Sequence, residues 1–157
     1  MNPYVYLASH TTLRGTIFTI VVIGLLIACP FSIGGDKSWV APKSISGATT
    51  VNASGIFELV DKYDDLVVID SRKTADFNQG HIEDSINLPD TKTSPESLAG
   101  ILQSTDTAVV FYCNGIHCKR SSSAIKIAVS AGYTNIFWYR LGWDEWLSEG
   151  LPFSHNE

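Results

Sequence analysis

The feature that most limits what this chain can fold into is the stretch from Ala108 to Ser123, A-V-V-F-Y-C-N-G-I-H-C-K-R-S-S-S. Its first five residues, Ala108 to Tyr112, are small, β-branched or aromatic, without polar alternation, the pattern of a strand covered on both faces. The run stops at Cys113. Turn-forming Asn114-Gly115 follows, then Ile116, His117, a second thiol at Cys118 and the cations Lys119 and Arg120. From Ser121 the residues recur with helical periodicity, giving the order strand, thiol loop, helix start.

Such a loop favours an anionic sulfur. A helix starting at Ser121 leaves its first N–H groups without intrahelical partners and turns the positive end of its dipole toward the loop. The Cys113 thiol is therefore expected below the free value of about 8.5, in a range of about 3.5–7.5. The curled backbone of residues 114–119, with Lys119 and Arg120 beside it, also suits an anionic substrate. On this reading Cys113 is the nucleophile. Asn114, Gly115, Ile116 and His117 line the cradle with Cys118, Lys119 and Arg120.

The flanking sequence builds an alternating α/β pattern. Thr49 to Val51 suits a short strand, Asn52 a helix N-cap, and Ile56, Leu59, Val60 and Tyr63 one apolar helix face. Leu66 to Ile69 is a second buried strand that carries Asp70-Ser71-Arg72 to its end, where ligands bind in open α/β sheets. Asp70 and Arg72 are read either as support for the loop or as a buried ion pair joining two segments, and His81 as structural. A strand ends near Asn87-Leu88, Ser94-Pro95 opens a short helix, and Ser121 to Ala131 forms a small-residue helix ended by Gly132. Asn135 to Tyr139 is a further buried strand, and a last short helix over Asp144 to Leu147 is closed by Gly150 and Pro152. The class expected is a single α/β domain with a mostly parallel central sheet and helices on both faces.

Four spaced stretches carry a family resemblance: V-V-I-D-S-R (67–72), D-F-N-Q-G-H-I-E-D-S-I-N-L-P (76–89), F-Y-C-N-G-I-H-C-K-R-S (111–121) and A-G-Y-T-N-I-F-W-Y-R-L-G-W-D-E-W (131–146). Together they resemble the single-domain rhodanese sulfurtransferases over residues 50–153. The resemblance implies that Cys113 accepts a sulfane sulfur as a persulfide, from thiosulfate or another small anionic donor, and passes it to a thiol or to cyanide. It implies no cofactor. Two departures stand out. The family's usual loop has an arginine five positions after the cysteine, where this chain has Cys118, with Arg120 two positions later. The family's C-terminal glycine pair is here Leu141-Gly142.

Cys118 opens an alternative. Two thiols in one loop can form a disulfide, which either switches the carrier off or makes a thiol-redox module in which Cys118 resolves a species formed on Cys113. A binding module of rhodanese shape without turnover is a further alternative. Cysteine-dependent phosphatase or arsenate reductase chemistry fits less well, because six residues separate Cys113 from Arg120 where such loops have five. Cys113, His117 and Cys118 do not have the spacing of a zinc site, and no metal is assigned.

The N-terminus reads as an export segment. Arg14 precedes an apolar run from Thr16 to Ile33, within which Leu26-Ile27-Ala28-Cys29 resembles a lipobox. Residues 1–29 are thus read as a signal peptide or membrane anchor, with Cys29 a lipidation candidate. A retained transmembrane helix and plain signal cleavage stay open. Residues 30–48 are rich in Gly, Ser, Pro and Lys and read as a tether, leaving 49–157 as the domain. All three readings place that domain outside the cytoplasm, periplasmic or otherwise extracytoplasmic. The net charge of −5 comes without a basic cluster larger than Lys119-Arg120, so no nucleic-acid partner is expected.

Overall fold

A computed structural model describes residues 39–156. Five strands form one sheet: β1 (Thr49–Val51), β2 (Val67–Asp70), β3 (Ile86–Asn87), β4 (Val109–Tyr112) and β5 (Ile136–Tyr139). All pairings are parallel and the spatial order is β1-β5-β4-β2-β3. The strand read from the apolar run before Cys113 is thus the central one. Its four residues are fully buried, as a strand covered on both faces must be.

Alternation along β4 divides the core into two halves. Val109 and Phe111 pack with Leu98 of α3 (Pro95–Ala99) and with Ala124, Ile125 and Ala128 of α4 (Arg120–Ser130). Val110 and Tyr112 face the opposite side, against Ile56 and Leu59 of α1 (Ala53–Lys62) and Trp146 of α5 (Gly142–Ser148). Helices cover both faces, and the small residues of α4 let it lie close to the sheet.

Local signals in the sequence account for the helix starts. The Asn52 side chain accepts from the Gly55 N–H at 3.0 Å. Ser94 and Ser97 form a reciprocal capping box ahead of α3, with Pro95 in its first turn. Helix α4 begins one residue earlier than the periodicity predicts, and α5 two residues earlier. A further short helix, α2 (Thr74–Gln79), was not legible: its N-cap, Lys73, makes no side-chain capping bond, and only Phe77 of its six residues is buried.

The expected tether differs from the structure over the residues described. Ala41 and Ile45 are buried in the core, with Trp39 packed against it, so compact structure begins before Thr49. Arg140 fastens this stretch through hydrogen bonds to the carbonyls of Ala41 and Pro42, at 2.8 and 2.7 Å. Two apolar residues inside a Gly/Ser/Pro-rich segment are enough to dock it, and composition averages them away. The expected export segment, Cys29 included, lies outside the described residues. Among the described residues, no helix is long and apolar enough to cross a membrane.

Candidate active site

Strands β2, β4 and β5 end level, with Asp70, Tyr112 and Tyr139 in register. The ladder runs one step further, where the Ser71 N–H donates to the Tyr112 carbonyl at 3.0 Å. Cys113 therefore leaves the sheet at its C-terminal edge, flanked by Ser71, the place where open α/β sheets bind ligands.

The loop of residues 113–119 is held from two sides. Behind it, the start of α5 supplies backbone donors: the Trp143 N–H bonds to the Cys113 carbonyl at 2.9 Å and the Asp144 N–H to the Asn114 carbonyl at 2.7 Å. In front of it, residues 39–41 run as a strap. The Ala41 N–H donates to the Ile116 carbonyl at 2.7 Å, and His117 Nδ1 lies 2.9 Å from the Trp39 carbonyl. Within the loop, the Cys118 N–H closes a turn on the Gly115 carbonyl at 3.0 Å. Among the described residues, the N–H groups of Asn114, Gly115, Ile116 and His117 have no hydrogen-bond acceptor. These four successive unpaired donors lie between the two cysteines of the loop.

Cys113 and Cys118 are joined by a disulfide, with their Cα atoms 6.2 Å apart. Cys113 is 2 % exposed while Cys118 is half-buried, so the sulfur nearer solvent is that of Cys118.

The charged residues divide differently from the expectation that they share one cradle. Arg120 is paired with Asp90 at 2.9 Å, in the short 3₁₀ helix Asp90–Lys92. The Lys119 ammonium sits over the Trp39 ring, 5.6 Å from its centroid. Asp70 and Arg72 form the buried pair: Arg72 Nη2 approaches Asp70 Oδ2 to 2.6 Å, Nε bonds both carboxylate oxygens at 3.0 Å, and Nη2 also donates to the Gly80 carbonyl at 2.6 Å. Burial works against the guanidinium charge, but hydrogen bonds and attraction from Asp70 outweigh it and raise the Arg72 pKa. The guanidinium also stacks over Trp143, 4.6 Å from the ring centroid. His81 is buried, its ring stacked on Phe77 and its Nδ1 2.9 Å from the Phe77 carbonyl. The serines after the loop are engaged within the fold: Ser121 Oγ accepts from Trp138 Nε1 at 3.1 Å, and Ser122 Oγ donates to the Lys119 carbonyl at 2.7 Å.

The sequence pattern places Asp144 only in the last helix. Its carboxylate lies against Gly115, where a Cβ would collide with Oδ2, and partial burial raises its pKa against the opposing pull of Arg72 and His117. Its place in the first turn of α5, beside Gly142, was the available signal. Ser71 likewise carries no sequence signal beyond its place between Asp70 and Arg72. It is fully buried next to Cys113, and its hydroxyl has no partner among the described residues.

A parallel sheet with a thiol loop leading from its central strand into a helix is the architecture of a rhodanese-like domain, and the match to that family covers residues 56–149. The chain belongs to the rhodanese-like domain family. It is 28% identical over 111 residues to the uncharacterized protein YibN of Escherichia coli strain K12, covering 70% of this chain and 76% of that one. It is 30% identical over 121 residues to the thiosulfate:glutathione sulfurtransferase of Saccharomyces cerevisiae, covering 69% and 84%. Among solved structures, the Alr3790 protein from Anabaena superposes with a TM-score of 0.60 at 19% identity, covering 68% of this chain and 80% of that one, a likeness of fold alone. A rhodanese-related protein from Thermoplasma volcanium does so with a TM-score of 0.55 at 26% identity, covering 68% and 97%.

Proposed function

We propose that this protein is a sulfurtransferase that moves a sulfane sulfur from thiosulfate or a persulfide to a thiol or cyanide through a persulfide on Cys113. The observation that carries the reading is Cys113 at the end of the central strand, followed at once by four unpaired backbone N–H groups. In the reduced protein the Cys113 thiolate attacks the sulfane sulfur of the donor. The donor S–S bond breaks, and its electron pair leaves with sulfite or a thiolate. The loop amides stabilise the anions on both sides of this step, so no general base is required once the thiol is ionised. An acceptor thiolate or cyanide then takes the terminal sulfur, and the Cys113 thiolate returns. Arg120 and Lys119 contribute to the local field rather than to direct contact, since each already has a partner.

Purified protein, reduced and then freed of reductant, is expected to release one equivalent of sulfite from thiosulfate and, with cyanide also present, to make thiocyanate. Cys113→Ser is expected to do neither. Thiocyanate formation at the wild-type rate in that variant would remove the assignment.

For the N-terminus we propose export and membrane attachment, supported by the apolar run from Thr16 to Ile33 and by Leu26-Ile27-Ala28-Cys29. The domain is then extracytoplasmic. Palmitate labelling lost in Cys29→Ala supports a lipid anchor; an unlabelled chain found in the cytoplasmic fraction rejects both export and anchoring.

A further inference from the structure

The Cys113–Cys118 bond is not used by the sulfur-carrier cycle, which begins only when it is open. We propose that Cys118 is the resolving thiol of this site: it discharges the Cys113 persulfide as free sulfide, and a dithiol reductant then reopens the resulting disulfide. The proposal rests on the carrier reading of Cys113 and adds to it the fate of the sulfur and the class of the second substrate.

Geometry supports each half of the cycle. The two cysteines lie in one short loop with Cα atoms 6.2 Å apart, inside the usual disulfide span of about 4.4–6.8 Å. A thiol tethered this close attacks at an effective concentration far above that of an external acceptor. The Cys118 thiolate attacks Sγ of the Cys113 persulfide, the bond from that Sγ to the terminal sulfur breaks, and the terminal sulfur leaves with the electron pair as hydrosulfide. The product is the disulfide seen in the structure. In that state Cys113 is 2 % exposed, so an incoming thiolate meets the half-buried Cys118 sulfur instead. Attack there expels the Cys113 thiolate beside the four unpaired amides, which makes it the better leaving group. The second thiol of the reductant then displaces Cys118 from the mixed disulfide. Overall, two thiols of the reductant become a disulfide and one sulfane sulfur becomes sulfide, so the electrons balance.

The test uses the full chain, reduced, freed of reductant and given thiosulfate under argon. Wild-type protein is expected to release one equivalent of sulfide, to retain no added sulfur, and to lose the two loop thiols to alkylation. Dithiothreitol or thioredoxin then restores those thiols, and the faster of the two distinguishes a small from a protein reductant. Cys118→Ser is expected to release no sulfide and to keep the added sulfur until cyanide removes it. Sulfide release from Cys118→Ser at the wild-type yield would overturn the resolving role while leaving the carrier intact. So would a wild-type chain that keeps both the added sulfur and a free Cys118. Sulfur uptake by neither protein removes the carrier itself, and the proposal with it.

Discussion

Gly142 presses its backbone against the carbonyl oxygen of Cys113, so that a Cβ at position 142 would fall inside that oxygen. Its φ of +57° is one an L side chain rarely adopts. This is the glycine retained from the family's C-terminal pair, and it lets α5 begin close enough to hold the thiol loop by two backbone hydrogen bonds.

Gly142→Ala therefore meets two penalties, the left-handed backbone and the overlap with the loop. Gly150 separates them: its φ is +66°, but no atom lies within 4 Å of where a Cβ would be. Gly150→Ala is expected to cost about 1–2 kcal/mol from the backbone alone. Gly142→Ala is expected to cost a further ~1–3 kcal/mol for the overlap and to slow the reaction of Cys113 with thiosulfate. Urea denaturation of both variants checks this, and equal destabilisation would show that the loop yields freely.

The Asp70–Arg72 pair makes a different claim about the same edge of the sheet. Asp70 is 0 % and Arg72 2 % exposed, and no other carboxylate bonds the guanidinium among the described residues. Asp70→Ala leaves that charge buried and is expected to destabilise the fold by about 3–5 kcal/mol. A midpoint in urea close to wild type would mean that water reaches Arg72 and that the pair is not structural.

How much of this was legible beforehand follows from the range of each interaction. The strands β2, β4 and β5 and the caps at Asn52 and Ser94 are local patterns, and the sequence displays them directly. Cys113 was legible for the same reason, since strand, loop and helix start are consecutive. The pairing of Arg120 with Asp90 joins residues 30 positions apart, and nothing near either one announces it. The docking of Ala41 on Ile116, and the approach of Asp144 to Gly115, are set by how α5 and the strap close over the loop. These are consequences of tertiary packing, to which periodicity is blind.

Asp144 predicts a pH dependence of stability. Its folded-state pKa is raised, chiefly by burial, so the folded protein holds the proton more tightly than the unfolded chain does. The stability this contributes is fully present below the unfolded value, about 3.9, and is lost as pH rises through the folded value. Asp144→Asn has no such loss. As pH rises above about 4 the variant should gain stability relative to wild type, and then hold a constant lead once the pH has passed the folded value. Denaturant midpoints at a series of pH values measure this. A stability difference that does not change with pH over that range would show that the carboxyl is solvated like any surface aspartate.

The strap over the loop supplies the last prediction. Arg140 donates to the carbonyls of Ala41 and Pro42, and Ala41 in turn donates to Ile116 inside the disulfide ring. Hydrogen bonds from a charged donor contribute about 1.5–3 kcal/mol each, and less where water competes, as it does at half-exposed Arg140. Arg140→Met keeps the aliphatic stem and removes both bonds, so the strap should open locally without unfolding the sheet. The Ala41 amide is then expected to exchange with solvent about tenfold faster for every ~1.4 kcal/mol lost, while amides in β4 keep their protection. Since Ile116 lies between the two cysteines, reduction of the disulfide by dithiothreitol should accelerate in parallel. If exchange at Ala41 accelerates and reduction does not, the strap covers the loop without guarding the disulfide, and access to Cys118 is set by residues 114–117 alone.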